Sequence, residues 1–191
     1  RLGWCDFGEA RFFSTTSIAA PADLAGRNVW RTAGDAVVEQ LLLAVGAQGV
    51  VGSLASVLPG LSGGTIDAVL ATSMAVTGLS WAPSLRFATR PGVSFVGGAA
   101  LVRNAAYTTL PTELRTALDT TAATAHSTLV RTVRRDNDRY YAALTSTPGF
   151  TEVDATPSAA LWDAAYDRAR RALVGSHYTQ AMLDRVVAAG H

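Results

Sequence analysis

Hydrophobic and polar positions along the first hundred residues switch repeatedly between two spacings. Runs of apolar, aromatic and β-branched residues indicate strands, and they are separated by stretches with the three-to-four-residue spacing of helices. Strands are predicted over 1–16, 28–32, 48–51, 65–70 and 93–102. Helices are predicted over 35–45, 53–61 and 73–81. This alternation of strands and helices is typical of parallel β-α-β units.

Local signals mark the ends of these helices. Asp35 supplies an acidic residue at the start of the first helix, and Gly46 follows directly after its end. Ser53 is a candidate cap for the second helix. Pro59 is expected to shorten or bend that helix, because proline lacks the backbone N–H that a helix interior uses.

The pattern becomes helical after Asn104. Pro111 suits a first helical turn, and apolar residues from Leu114 to Leu144 keep helical spacing, which predicts one long helix or two joined by a kink. A last strand is predicted over 150–154, and amphipathic helices over 157–174 and 179–189. The predicted organisation is an α/β lobe over 1–104, then a long helix and C-terminal helical segment over 105–191, together forming one compact unit.

Composition narrows the class of protein. Hydrophobic residues make up 49% of the chain and charged residues 16%, which is typical of a globular domain. The net charge of +1 gives no bias toward nucleic acid. The stretches 41–66 and 68–85 carry no charge, so a membrane segment is an alternative. A spanning helix needs about twenty continuous apolar residues, and glycines and Pro59 interrupt the first stretch, which favours buried elements of an α/β core.

Few residues suit catalysis or metal binding. Cys5 is the single cysteine, so an internal disulfide is excluded, and His126, His177 and His191 lack metal-like spacing. No nucleotide-binding, hydrolase or zinc-protease motif occurs, which disfavours a hydrolase or transferase. The arginine-rich segment 131–139 also contains aspartates, so a self-paired helix face is favoured over an anion site. We therefore predict a protein without catalysis, metal or cofactor.

Three stretches together resemble one family. They are RLGWCDFGEARFFS (1–14), APADLAGRNVW (20–30) and SVLPGLSGGTIDAV (56–69). Their order resembles the solute-binding subunits of tripartite ATP-independent periplasmic (TRAP) transporters. Residues 57–68 match that family's V-L-x-x-L-x-x-G-x-I-D-A signature, and LPTELRTAL (110–118) matches the start of its long helix.

The resemblance implies a periplasmic-binding-protein-like lobe with a central sheet flanked by helices, followed by a long hinge helix and C-terminal helices. Members of the family are longer and bind their ligand between two lobes. This chain resembles the second lobe, the hinge helix and the C-terminal helices, so most of the first, N-terminal lobe is expected to be missing from it. The implied function is extracytoplasmic capture of a small organic ligand, an organic acid with an apolar body, for a membrane permease. The alternative is a structural or interaction domain that keeps the fold without a complete cleft.

The resemblance also indicates a ligand position on the strand over 28–32. In most members an arginine there binds a ligand carboxylate through two parallel hydrogen bonds. Trp30 holds that position here, as in a branch of the family with V-W at this place, and Arg31 is one residue later. Adjacent strand residues point to opposite faces, so Trp30 is expected to face the cleft. A one-residue bulge would instead bring Arg31 into the site.

Five further residues complete the candidate site. Arg11 matches the arginine of the family's earlier G-x-R segment and is a candidate anion contact. Leu70, Thr72 and Ser73 follow the strand over 65–70, where α/β folds place ligand contacts, and Trp81 follows the next helix. Each has a structural alternative, namely core packing for the tryptophans, a solvated position for Arg11 and helix capping for the hydroxyls.

Overall fold

The computed structural model describes residues 2–189, whose strands form one mixed sheet. The strands are β1 (Gly3–Ser14), β2 (Asn28–Arg31), β3 (Gln48–Val51), β4 (Ala68–Thr72), β5 (Phe87–Arg90), β6 (Ser94–Ala100) and β7 (Thr151–Asp154). The helices are α1 (Ala36–Ala44), α2 (Leu54–Ser62), α3 (Ser73–Gly78), α4 (Asn104–Thr108), α5 (Thr112–Thr145), α6 (Ala159–Ala172) and α7 (Gln180–Ala189). Short 3₁₀ turns occupy Pro21–Leu24, Ala82–Ser84 and Thr156–Ser158. The predicted α/β class, with a central sheet flanked by helices, is confirmed.

The direction of β1 differs from the prediction. Among residues 2–189 the sheet has seven strands in the order β3-β2-β4-β1-β5-β7, with β6 also paired to β1. β2 runs parallel to β3 and β4, as the alternating pattern predicts. β1 runs antiparallel to β4, β5 and β6, so the expectation of parallel units is wrong for this strand. Hydrophobic spacing identifies a strand but carries no information on the direction in which it enters a sheet.

Two strands differ from their predicted positions. β4 begins at Ala68 rather than at residue 65, because the amides of Thr65 and Ile66 donate to the Gly60 carbonyl at 2.9 and 3.1 Å in the turn that ends α2. β5 is absent from the predicted elements. It forms because β1 and β7 pair with its two edges, and these partners are far from it in the sequence.

Helix ends follow the local signals with small shifts. The Asp35 carboxylate accepts a hydrogen bond from the Val38 amide at 3.0 Å and so caps α1, the helix at whose start an acidic residue is predicted. Pro59 lies inside α2, which continues beyond it, so the expected shortening is wrong. Proline has no N–H to donate, but the Pro59 carbonyl still accepts a hydrogen bond from the Gly63 amide at 2.8 Å. Pro111 is the residue before α5 rather than part of its first turn.

Helix α5 is a single helix of 34 residues, so it is about 51 Å long at 1.5 Å per residue. It lies along β1. A Cβ placed on Gly3 would be 2.5 Å from the ring of His126, and a Cβ on Gly8 would be 2.8 Å from Cγ of Asn137. Tyr141, farther along the helix, lies beside Arg11 of β1. Glycine therefore permits the close approach of α5 to the strand.

The two faces of the sheet carry separate cores because side chains alternate along each strand. Phe12 lies in the core under α1 and α6, with Val29, Leu42 and Trp162. Phe13 lies in the opposite core, with Trp30, Val69, Val76 and Trp81. No helix within residues 2–189 is long and apolar enough to cross a membrane. The two uncharged stretches form short helices and the strands β3 and β4 instead, of which β4 is buried and β3 is largely exposed.

Strands β1 and β6 extend beyond the rest of the sheet as a two-stranded segment, here called the β1–β6 arm. Pairing of β1 with β4 starts only at Ala10 and pairing with β5 only at Phe13, whereas pairing with β6 starts at Gly3. Trp4 is 64% exposed, Phe95 69% and Leu101, just after β6, 76%. Exposed large apolar side chains on such a segment are typical of a surface that another part of a protein covers.

Replacement of Gly8 tests the contact between β1 and α5. Gly8 has a φ of +95°, and a Cβ there would lie 2.8 Å from Cγ of Asn137. We expect Gly8→Ala to lower the free energy of unfolding by about 2–4 kcal/mol, from left-handed backbone strain and overpacking together. Gly26→Ala is the matched control, since Gly26 has a φ of +72° and no neighbour within 4 Å. Urea unfolding that shows equal losses for both variants would contradict the close contact.

Candidate functional site

Strand β2 directs its last two side chains to opposite faces of the sheet. Its pairing with β3 is continuous from Asn28 to Arg31, without a bulge. Trp30 is 8% exposed and lies in the core that contains Trp81. Arg31 lies on the other face, where its guanidinium pairs with Glu39 of α1 at 2.9 Å. The alternation that the sequence predicts for Trp30 and Arg31 is therefore present.

Trp30 and Trp81 form an aromatic pair. Their ring centroids are 5.9 Å apart and the rings meet edge to face at 65°. The Trp30 indole Nε1 donates a hydrogen bond to the Gly52 carbonyl at 3.1 Å. Gly52 lies in the loop between β3 and α2, so the pair holds this loop at the carboxyl ends of two parallel strands. Such strand ends are the usual ligand position in open α/β sheets.

The positive charge of Arg31 is neutralised within the lobe by Glu39. Its side chain is 14% exposed and pairs with Glu39. It also packs flat over β3, where a Cβ on Gly49 would lie 2.9 Å from the Arg31 Nε. The strand position and the ion pair both hold the guanidinium against α1.

Arg11 lies on the same face as Trp30 and is surrounded by internal partners. Its guanidinium pairs with the Glu9 carboxylate and donates to the Thr89 carbonyl at 3.1 Å. It also lies 4.0 Å from the centre of the Tyr141 ring, in cation–π geometry. Its Nε is buried and has no hydrogen-bond partner within residues 2–189. One donor of the guanidinium therefore remains unused.

Tyr141 links Arg11 to a second set of charges. Burial raises the pKa of its hydroxyl, and the hydrogen bond that it donates to the Glu152 carboxylate raises it further. Glu152 in turn pairs with Arg90 at 2.7 Å. The tyrosine consequently stays neutral and presents its ring to Arg11. Tyr141 was not identified from the sequence, because no local pattern joins β1 to α5. Glu9 was not identified either, although it lies two residues before Arg11 on the same strand.

The hydroxyl candidates lie at the carboxyl end of β4. Thr72 Oγ1 accepts a hydrogen bond from the Ala75 amide at 3.2 Å and so caps α3. Ser73 is fully buried, and its Oγ has no hydrogen-bond partner in the described part of the chain. Leu70 points to the face of the sheet opposite Trp30, where it lines a cavity.

This cavity lies between α1, α6, α7 and the sheet, and we call it the α7 pocket. Its volume is about 390 Å³. Most of its wall is aliphatic or aromatic, and the residues that line it include Val37, Leu41, Leu70, Tyr166, Met182 and Val186. Ser94, Arg170 and Tyr178 contribute polar groups. Sequence analysis missed the pocket because its walls come from segments far apart in the chain.

The candidate residues thus separate into two groups. Arg11, Trp30 and Trp81 share one face of the sheet, whereas Arg31 and Leu70 lie on the other. Which of them contacts a ligand stays a prediction. Among residues 2–189 no group of three or more His, Cys, Asp or Glu side chains is arranged to hold a metal ion. One candidate metal ligand considered above, the histidine at position 191, lies outside the described residues.

Comparison with known families gives one match. The sequence model of the bacterial extracellular solute-binding protein family 7 matches residues 1–169. Comparison with curated proteins gives no match. The resemblance inferred from the sequence motifs is confirmed, and the family is one of extracytoplasmic binding proteins rather than enzymes, as predicted.

Solved structures share the fold at low sequence identity. A TRAP periplasmic solute-binding protein from Citrobacter koseri with bound D-glucuronate has a TM-score of 0.83 at 19% identity, over 97% of this chain and 60% of that one. A TRAP periplasmic solute-binding protein from Pseudomonas aeruginosa with bound L-malate gives 0.80 at 16%, over 89% and 59%. A Bordetella pertussis extracytoplasmic solute receptor binding pyroglutamic acid gives 0.77 at 17%, over 90% and 56%. The chain therefore spans less than two thirds of each of these structures.

The pH dependence of stability reports on the wall of the α7 pocket. Tyr166 stacks on Trp162 at 5.8 Å, and burial raises the pKa of its hydroxyl from 10.0 to about 12. Because the folded protein holds the proton more tightly, this contribution to stability is complete below pH 10 and is lost as the pH rises toward 12. We expect Tyr166→Phe to lose less stability than the unchanged protein between these pH values. Chemical unfolding curves that remain parallel across this range would contradict burial of the hydroxyl.

Proposed function

The chain belongs to the bacterial extracellular solute-binding protein family 7, and on this premise we propose that it is the second lobe of a receptor for a small organic acid. The receptor captures its ligand outside the cytoplasm and presents it to the membrane permease of a TRAP-type transporter. The match over residues 1–169 is the observation that carries the proposal. No chemical step on the ligand is part of this function.

The proposal includes a first lobe in the same polypeptide. The similar structures are longer, since the chain spans 56–61% of their length. The β1–β6 arm supports such a partner, because Trp4, Phe95 and Leu101 are largely exposed on it. In this arrangement residues 1–104 form the ligand-binding lobe, and residues 105–191 supply the hinge helix and the C-terminal segment.

A carboxylate is the ligand group that we propose for Arg11. The similar receptors named above hold pyroglutamic acid, L-malate and D-glucuronate, each of which carries a carboxyl group. The Glu9 side chain is 30% exposed and Arg11 only 11%. Glu9 is therefore the partner that can move into water while a ligand carboxylate takes its place at the guanidinium. The exchange keeps the arginine charge paired, which a largely buried cation requires.

The remaining candidate residues supply the other contacts of the proposed site. Trp30 and Trp81 form an aromatic wall for an apolar ligand body, while Thr72 and Ser73 offer hydroxyls at the carboxyl end of β4. Leu70 and Arg31 lie on the other face of the sheet, away from this wall. The alternative of an interaction domain without a cleft is not favoured, because the similar structures are ligand-bound receptors.

The chain by itself is expected to bind polar organic acids poorly. Closure between two lobes removes such a ligand from water, and one lobe supplies only part of that enclosure. In calorimetric titrations with L-malate, D-glucuronate and pyroglutamate we expect dissociation constants above about 1 mM, as for a ligand held on one side only. The protein with both lobes is the control and should bind one of these acids far more tightly. Micromolar binding of any of them to the 191-residue chain would contradict a site between lobes.

Substitutions at positions 30 and 31 test which side chain meets the ligand. In the protein with both lobes we expect Trp30→Phe to weaken binding at least about tenfold, through loss of indole contact area and of the bond to Gly52. Arg31→Ala should change affinity less than about threefold, because Glu39 already neutralises the arginine. Calorimetry measures both, and thermal unfolding checks that each variant is folded. A large loss for Arg31→Ala with little effect of Trp30→Phe would restore the usual carboxylate-binding arginine.

A further inference from the structure

The α7 pocket is complete within this one lobe. Its volume of about 390 Å³ lies in the range of roughly 300–1,000 Å³ that small-molecule sites occupy. It is on the face of the sheet opposite Trp30, so it is separate from the aromatic pair. The core residues behind it are closely packed, and Leu41 and Leu183 are only 7% and 6% exposed. The pocket is therefore a defined concavity and not a gap in a loose core.

Apolar side chains at the entrance of the pocket face water. Val37 of α1 is 63% exposed, and Met182 and Val186 of α7 are 56% and 60% exposed. Within α7 only Leu183 is buried. Apolar side chains that surround a concave site favour a ligand whose own apolar surface they remove from water.

One positive charge at the edge of the pocket has no internal partner. Arg170 lies in the last turn of α6, and no carboxylate of residues 2–189 forms an ion pair with its guanidinium. Two other arginines of α6 do have partners. Arg171 pairs with Asp167 at 3.1 Å, and Arg168 donates a hydrogen bond to the Ala44 carbonyl at 3.0 Å. The Tyr178 hydroxyl donates to the Arg170 carbonyl at 2.6 Å and keeps an acceptor lone pair at the same edge.

We propose that the α7 pocket binds an amphipathic monocarboxylate, with its hydrocarbon part between α1 and α7 and its carboxylate on Arg170. A single unpaired cation beside an apolar cavity matches one negative charge on an apolar body. A dicarboxylate or a sugar acid would place further polar groups against aliphatic walls, where they lack partners. This site goes beyond the receptor function proposed above, since it needs neither a second lobe nor closure.

Octanoate is the probe for this site, titrated into the 191-residue chain in a calorimeter. We expect saturable binding of one octanoate per chain, weaker binding of octanol and no binding of acetate. Octanol lacks the charge and acetate lacks the apolar chain, so the two comparisons separate the contributions of Arg170 and of the cavity. Binding of several octanoate molecules without saturation, or equal binding of octanol and octanoate, would overturn the proposal.

Adjacent arginines on α6 provide a matched pair of variants. Arg170→Gln should lower octanoate affinity about fivefold to tenfold, as expected for loss of a charge-assisted contact, and leave octanol affinity unchanged. Arg171→Gln should leave both affinities unchanged, since Arg171 is outside the pocket and already paired with Asp167. Equal effects of the two substitutions would mean that only overall charge matters, and the proposal would be wrong.

Two further variants locate the ligand. Met182→Glu should reduce octanoate binding at least tenfold by placing a carboxylate at the entrance, and a side chain 56% exposed permits this change without unfolding. Trp30→Phe should leave octanoate affinity unchanged, because Trp30 lies on the other face. If Trp30→Phe alone reduces binding, or if Met182→Glu only alters self-association of the chain, the pocket has another occupant and the proposal fails.

Discussion

The position of β1 within the sheet is the constraint on which the other elements depend. Its C-terminal half pairs with β4 and β5, its length up to Ala10 pairs with β6, and α5 lies along it. Side chains alternate along the strand, so Phe12 and Phe13 supply the two cores. The same alternation fixes Arg11 on the face where α5 brings Tyr141 within 4.0 Å. Loss of the glycine contacts with α5 would therefore affect the sheet and the candidate anion site together.

Charge is scarce in this chain, at 16% of residues, and both candidate arginines of the ligand site already have an internal carboxylate partner. Arg11 pairs with Glu9, and Arg31 pairs with Glu39. A ligand carboxylate at either position must displace a carboxylate that is already present, so it gains only the difference between two similar interactions. Such a site discriminates by geometry more than by charge. Within residues 2–189 no carboxylate pairs with Arg170, so the anion that we propose there displaces no internal carboxylate.

The two faces of the sheet consequently place different demands on a ligand. The face with Trp30 and Trp81 offers aromatic side chains that are mostly covered by the lobe itself. In the proposed receptor, binding there depends on surfaces beyond this lobe, at the carboxyl ends of β2 and β3. The face with the α7 pocket contains its own walls and its own cation. A polar acid and an amphipathic acid can therefore be distinguished by which face they use.

Local sequence determined those features that depend on neighbouring residues. The acidic residue at the start of α1, the helical course of residues 112–145 and the opposite directions of Trp30 and Arg31 follow from spacing over a few residues. The sequence left open whether α5 is one helix or two joined by a kink. The motif order was sufficient to identify the family. Tertiary structure alone decided the antiparallel direction of β1, strand β5, the contact of Tyr141 with Arg11 and the walls of the α7 pocket. Each of these joins segments far apart in the chain, and no periodic pattern encodes which distant segments meet.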